Sequence, residues 1–172
     1  MKKLIFISGA MSIGKTTIAK MLVNRLEKSV MLDGDWCWEQ GDNWNYCQEN
    51  KDMAVDNICY LLNSFLKNNN FNNVIFSWVL HLQETRDFIL EKLRNKEFRF
   101  YDISLIANEQ TIRDRQKVRN PNIGVNELEQ AVTNSMDKMK YYHRLKTIKI
   151  DVSNLNKNEV LSAVLEIIMN RL

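Results

Sequence analysis

Gly9-Ala10-Met11-Ser12-Ile13-Gly14-Lys15-Thr16 fits the pattern G-x-x-x-x-G-K-[ST] without a mismatch. The chemistry this pattern serves is the holding of a polyphosphate. Gly9 and Gly14 let the backbone wrap closely around phosphate oxygens, and the loop N–H groups with the following helix N-terminus attract negative charge. Lys15 would reach the β and γ phosphates, and the Thr16 hydroxyl would ligate Mg²⁺. Thr17 completes the set of residues expected to line the nucleotide phosphates, Gly9 through Thr17. The alternative is a glycine turn that happens to precede a helix, and the flanking elements argue against it.

Those elements alternate along the chain. Leu4–Ile7 is a short apolar run of the kind a central parallel strand carries. Ile18, Met21, Leu22 and Leu26 then fall at helical spacing. Further strands are expected at Val30–Leu32, Val74–Val79, Ile103–Ala107 and Thr147–Ile150. Helices are expected over residues 50–67, 85–93, 108–118 (capped by Asn108) and 127–142. A last helix should start near Lys157, where Asn156 and Glu159 have capping-box spacing. Such alternation predicts an α/β fold with a parallel sheet covered on both faces. No repeat or long linker divides the chain, so residues 1–172 read as one domain.

Other phosphate-loop classes lack support. The D-x-x-G and N-K-x-D markers of small GTPases do not occur. Motor and AAA+ ATPases need an acidic pair at the end of an apolar strand, whereas the candidate strand reads VIFSWVLH, Val74 to His81. What remains is a compact kinase with a carboxylate after its second strand, and Leu32-Asp33-Gly34-Asp35 supplies one.

At LDGD the chain resembles the small-molecule P-loop kinases: shikimate, gluconate and adenylylsulfate kinases and chloramphenicol phosphotransferase. It is also similar to little-characterised bacterial proteins of the AAA-type ATPase or nucleotide-kinase-like kind. The resemblance implies a three-layer α/β/α P-loop NTPase fold with a five-stranded parallel sheet and a small lid, and it implies ATP and Mg²⁺ as cofactors. It places Asp33 near Mg²⁺ and the acceptor hydroxyl, and Asp35 on the acceptor. Ile112-Arg113-Asp114-Arg115-Gln116-Lys117-Val118-Arg119 is similar to the segment that opens these kinases' lid. By that match Arg115 packs on adenine or approaches the phosphates, and Arg119 is the lid arginine, the lid covering about 119–126 with Gly124 as a hinge. Guanidinium suits both tasks because it stacks on rings and forks onto phosphate. An ordinary solvated Arg/Asp helix face is the other reading of these arginines. The loop Asp151-Val152-Ser153 corresponds to the one that borders adenine, which makes Val152 a cofactor contact. Lys15, Asp33, Asp35, Arg115 and Arg119 are thus the candidate catalytic set, with Thr16 and Asp33 as the metal residues.

The acceptor segment, about 33–60, should decide the substrate. From Asp33 to Asp56 it holds seven carboxylates against Lys51 alone, and no arginine. Trp36, Trp38 and Trp44 lie there with Tyr46. A neutral or cationic acceptor with a flat or ring-like face is therefore expected, with Asp35, Trp36, Trp38 and Trp78 as its contacts. The same aromatics could instead fill a local core. His81 could touch the acceptor or cap the next helix.

Composition limits the rest. A net charge of +3 with no Lys/Arg run gives no footprint for nucleic acid. The apolar run at the N-terminus stops at Ser8, too soon for a signal peptide, and no stretch approaches a membrane span. Cys37, Cys47 and Cys59 are odd in number and lack C-x-x-C spacing, which fits reduced cytoplasmic thiols. The expected protein is a monomeric or homodimeric ATP-dependent phosphotransferase acting on a small-molecule hydroxyl. A nucleoside or nucleotide kinase is the nearest alternative, and an ATP-binding regulatory switch is the alternative from another class.

Overall fold

The computed structural model describes residues 1–41, 44–94 and 97–170. Asp42, one of the seven carboxylates of the acceptor segment, lies outside the described residues. Among the described residues five strands form one parallel sheet: β1 (Lys2–Ser8), β2 (Ser29–Asp33), β3 (Asn73–Trp78), β4 (Phe98–Ile106) and β5 (Ile148–Asp151), in the order β2-β3-β1-β4-β5. The helices are α1 (Lys15–Arg25), α2 (Gln48–Lys67), α3 (Gln83–Lys92), α4 (Glu109–Arg119), α5 (Val125–Arg144) and α6 (Lys157–Asn170). A short 3-10 turn, Gly34–Cys37, follows β2.

Period-two alternation in β1 divides the core. Leu4 and Phe6 point to the layer of α2 and α3, packing with Ile58, Leu62, Phe76 and Ile89. Ile5 and Ile7 point to the opposite layer with Ile18, Leu22, Val132 and Val164. A strand buried on both faces must be apolar throughout, which is why LIFI reads as a continuous run. Phe6 meets Phe76 and Phe100 edge-to-face at 5.0 Å each. This is the three-layer α/β/α arrangement, and no helix among the described residues is long and apolar enough to cross a membrane.

The helix caps follow the sequence signals. Asn108 accepts from the Thr111 N–H at 2.9 Å, and Asn156 with Glu159 closes a reciprocal box at 2.7 and 3.1 Å. β4 is longer than its apolar run predicts, beginning at Phe98 instead of Ile103. The difference arises at Asp102, whose charge interrupts the apolar pattern. Inside the fold it is paired with Arg86, which is fully buried, so the strand continues through it.

Candidate active site

β1 and β3 lie side by side at the centre of the sheet, and their C-terminal ends, with that of β2, carry the candidate site residues. The loop between β1 and α1 is shaped by backbone that side chains would obstruct. Gly9 has φ +152°, and a Cβ there would lie 2.8 Å from the Leu105 carbonyl oxygen. Gly14 has φ +104° and Ser12 φ +61°, so three of the loop residues have positive φ. Ala10 and Ile13 are buried in the core, so they offer the loop's concave side their backbone, whereas Met11 is half exposed. No side chain caps α1, and its first turn has no acidic residue, which leaves the helix N-terminus open to an anion. The Ser12 hydroxyl is buried without a hydrogen-bond partner. Lys15 donates to the Ala10 carbonyl at 2.9 Å. Burial lowers its pKa from the ordinary 10.5 to about 8, opposed by Asp35 and Asp33 and reinforced by the charges of Arg119 and Lys138.

Thr16 joins this loop to the end of β2. Its hydroxyl donates to Asp33 Oδ2 at 2.6 Å. The other Asp33 oxygen accepts from the Asp35 N–H at 3.2 Å, so both oxygens of this buried carboxylate are engaged. Asp35 is exposed and accepts from the Trp78 indole N–H at 3.1 Å. Gly34 explains the D-G-D spelling: a Cβ there would sit 2.3 Å from Trp78 Cγ, because the indole lies flat on the backbone. Trp38 meets Trp44 at 5.3 Å, Tyr46 at 5.6 Å and Trp78 at 6.5 Å, all edge-on, and its indole N–H is buried without a partner. Trp38 and Trp78 thus stand together beside Asp35. Trp36 is 56% exposed and has no ring contact among the described residues.

The arginines of α4 separate into different environments. Arg115 donates to the Ile13 carbonyl at 2.5 Å and to the Val152 carbonyl at 3.1 Å, tying the phosphate loop to the loop after β5. Burial lowers its pKa. Arg113 instead pairs with Glu109 and Glu129 on the surface. Arg119 is exposed, though its charge is felt at Lys15. Gly124 has φ −63°, a conformation any residue can adopt, and its N–H bonds Glu127 at 3.4 Å.

Four site-adjacent residues have no place in the motifs. Arg86 donates to the Leu80 carbonyl at 3.0 Å and to Ser8 Oγ at 2.5 Å, and it pairs with Asp102. It therefore braces both the residue before Gly9 and a leucine held at φ +35°. Its sequence signal is positional: Arg86 lies on the same helical stripe as Ile89 and Leu93. Ser77, the polar residue of VIFSW, is fully buried without a partner and sits in register with Asp33. Tyr142 donates to the Val79 carbonyl, and Lys138 lies one turn before it on α5.

Residues 5–134 match a family model described as an AAA domain. The chain belongs to that family. In this AAA-domain chain β3 ends in Ser77-Trp78 without an acidic pair, and the carboxylate beside Thr16 comes from β2 instead. Solved structures of similar fold include the tunicamycin resistance protein of Deinococcus radiodurans, with TM-score 0.70 and 16% identity over 98% of this chain and 96% of that one. The gluconokinase of Sinorhizobium meliloti 1021 gives TM-score 0.69 and 13% identity over 98% and 94%. The shikimate kinase of Acinetobacter baumannii, solved with shikimate, gives 0.61 and 17% over 100% and 96%. Among curated proteins none matches the sequence. The fold is that of the small-molecule P-loop kinases.

Proposed function

We propose that the protein is an ATP-dependent phosphotransferase that moves the γ-phosphoryl group to a hydroxyl of a small neutral or cationic acceptor. The observation that carries this reading is the 2.6 Å bond from Thr16 to Asp33, which joins the phosphate cradle to the D-G-D turn. A phosphate site and a carboxylate site so joined suit in-line transfer, where positioning dominates over base strength.

The donor set beside the cradle consists of hard oxygens, the Thr16 hydroxyl and the Asp33 carboxylate, with the orphaned Ser77 hydroxyl in register with it. That set fits Mg²⁺, which Thr16 and Asp33 would hold together with phosphate oxygens. Bound there, the ion supplies neutralisation of phosphoryl charge. Lys15 leaves the Ala10 carbonyl to meet the β and γ phosphates, and Arg115 borders the nucleotide between Ile13 and Val152. Asp33 has both oxygens engaged, so Asp35 is the carboxylate that accepts the proton of the acceptor hydroxyl. The acceptor oxygen gains the phosphoryl group as its bond to the bridging oxygen of ADP breaks. Trp38 and Trp78 offer faces and an unpartnered N–H to a ring-bearing acceptor, while Asp35 favours positive charge.

A coupled ADP-release screen over nucleosides, sugars, amino alcohols and aminoglycosides tests the proposal. ADP formation that depends on a neutral or cationic acceptor is expected. Stimulation by acidic acceptors alone would remove the charge assignment, and ADP formation indifferent to every acceptor would favour a nucleotide-operated switch.

A further inference from the structure

A cation on α5, outside the motif, acts on the lysine of the phosphate cradle. α5 is anchored to the site by two adjacent tyrosines. Tyr142 donates to the Val79 carbonyl, and Val79 follows Trp78, which lies in register with Ser8 immediately before the cradle. Tyr141 meets the His81 ring edge-on at 5.6 Å. Lys138 precedes these tyrosines by three and four residues, so it lies on the same helix face one turn nearer the lid. It is half-buried, and among the described residues it has no ion pair. The neighbouring Asp137 is engaged by Lys140 at 2.7 Å. The Lys138 charge is felt at both Lys15 and His81, so its ammonium is within electrostatic reach of each.

The charges of Arg119 and Lys138 thus both bear on Lys15 at the open cradle. Gathering like charges is unfavourable until an anion joins them, and the anion that gains most is the one with the most charge at that point. We propose that Lys138 is a catalytic residue whose ammonium contacts the γ-phosphoryl group of bound ATP from the His81 side of the cradle. This rests on the nucleotide reading given above. In transfer the charge spreads over the equatorial oxygens of the phosphoryl group, and an ammonium carried by a helix anchored at Val79 meets it without rearranging.

Calorimetry with Mg²⁺ present, comparing ATPγS with ADP, tests this in the wild type, Lys138→Met and Lys138→Arg. Lys138→Met should weaken ATPγS by about tenfold and ADP by less than about twofold, since loss of a charge-assisted contact affects the nucleotide that makes it. Lys138→Arg should recover most of the ATPγS affinity. NMR of a His143→Gln protein leaves His81 as the sole imidazole. Burial, then the charges of Lys138 from α5 and Arg86 from α3, lower the His81 pKa, with the Tyr141 ring against it. Its titration midpoint should therefore rise when Lys138 is replaced by Met. Equal losses for the two nucleotides, no loss for either, or an unmoved His81 midpoint would overturn the assignment of Lys138. A folded wild type that binds neither nucleotide would instead overturn the nucleotide reading itself, and this inference with it.

Discussion

Lys15→Met should stabilise the nucleotide-free protein while abolishing its response to ATP. Burial brings the Lys15 pKa from 10.5 to about 8 in spite of the two nearby aspartates. At about 1.36 kcal/mol per pKa unit this corresponds to roughly 3 kcal/mol of unfavourable charge burial at neutral pH. Partial solvent screening and loss of the bond to Ala10 reduce the net gain to about 1 kcal/mol. For a chain of this size that is a rise of about 2–4 °C in melting temperature. The pH dependence identifies the cause. Unfolded Lys15 keeps its proton up to about pH 10.5, whereas the folded side chain releases it near 8. Between those values the unfolded wild type binds more protons than the folded one, so its stability rises with pH. Methionine has no such slope. Melting followed from pH 7 to about 9.5 should therefore show the advantage of Lys15→Met shrinking, and only the wild type should melt higher on adding Mg²⁺ and ATPγS. A variant less stable than wild type at pH 7, or a gap that does not change with pH, would refute the assignment of a buried, disfavoured charge to Lys15.

Three further outcomes follow from the same contacts. Gly34→Ala drives a Cβ to 2.3 Å from the Trp78 indole and should cost about 1–3 kcal/mol, with altered tryptophan near-ultraviolet dichroism; an unchanged spectrum would mean the indole does not lie on that backbone. Arg86→Met leaves Asp102 without its buried partner and should lower urea stability by about 3–5 kcal/mol, so a loss below about 1 kcal/mol would contradict the bracing role. Cys47 is exposed, whereas burial and nearby carboxylates raise the Cys37 and Cys59 thiols to about 11. A thiol reagent at pH 8 should accordingly modify Cys47 fast in the native protein and reach the other two only on unfolding.

The donor side of the site is legible in the sequence because its parts are consecutive. A strand, a glycine loop and a helix N-terminus follow one another from Leu4 to Leu22, and each residue's task is local. Asp33 and Asp35 are legible for the same reason, since they stand at and just past the end of the strand β2; the contact that demands Gly34 between them comes from Trp78 and is not. Lys138, Tyr142 and Arg86 are not, since their partners lie 63 residues away for Tyr142 and 78 for the Arg86–Ser8 bond. Amphipathic spacing reports which face of a helix is covered and says nothing about which loop it covers. Composition groups Trp36 with Trp38 and Trp44, and the structure separates them: the 3-10 turn after Asp33 leaves Trp36 facing solvent, while Trp38 packs among rings. Arg86 joins these two kinds of information. A charged residue on an apolar stripe requires a buried counter-charge, and the charged interruption of the β4 run at Asp102 is where a buried carboxylate would be sought. Each anomaly is unreadable alone; the pair specifies a contact. That contact bonds Ser8, immediately before the phosphate cradle, and Leu80, immediately before His81, so the two sides of the site are held to one buried cation.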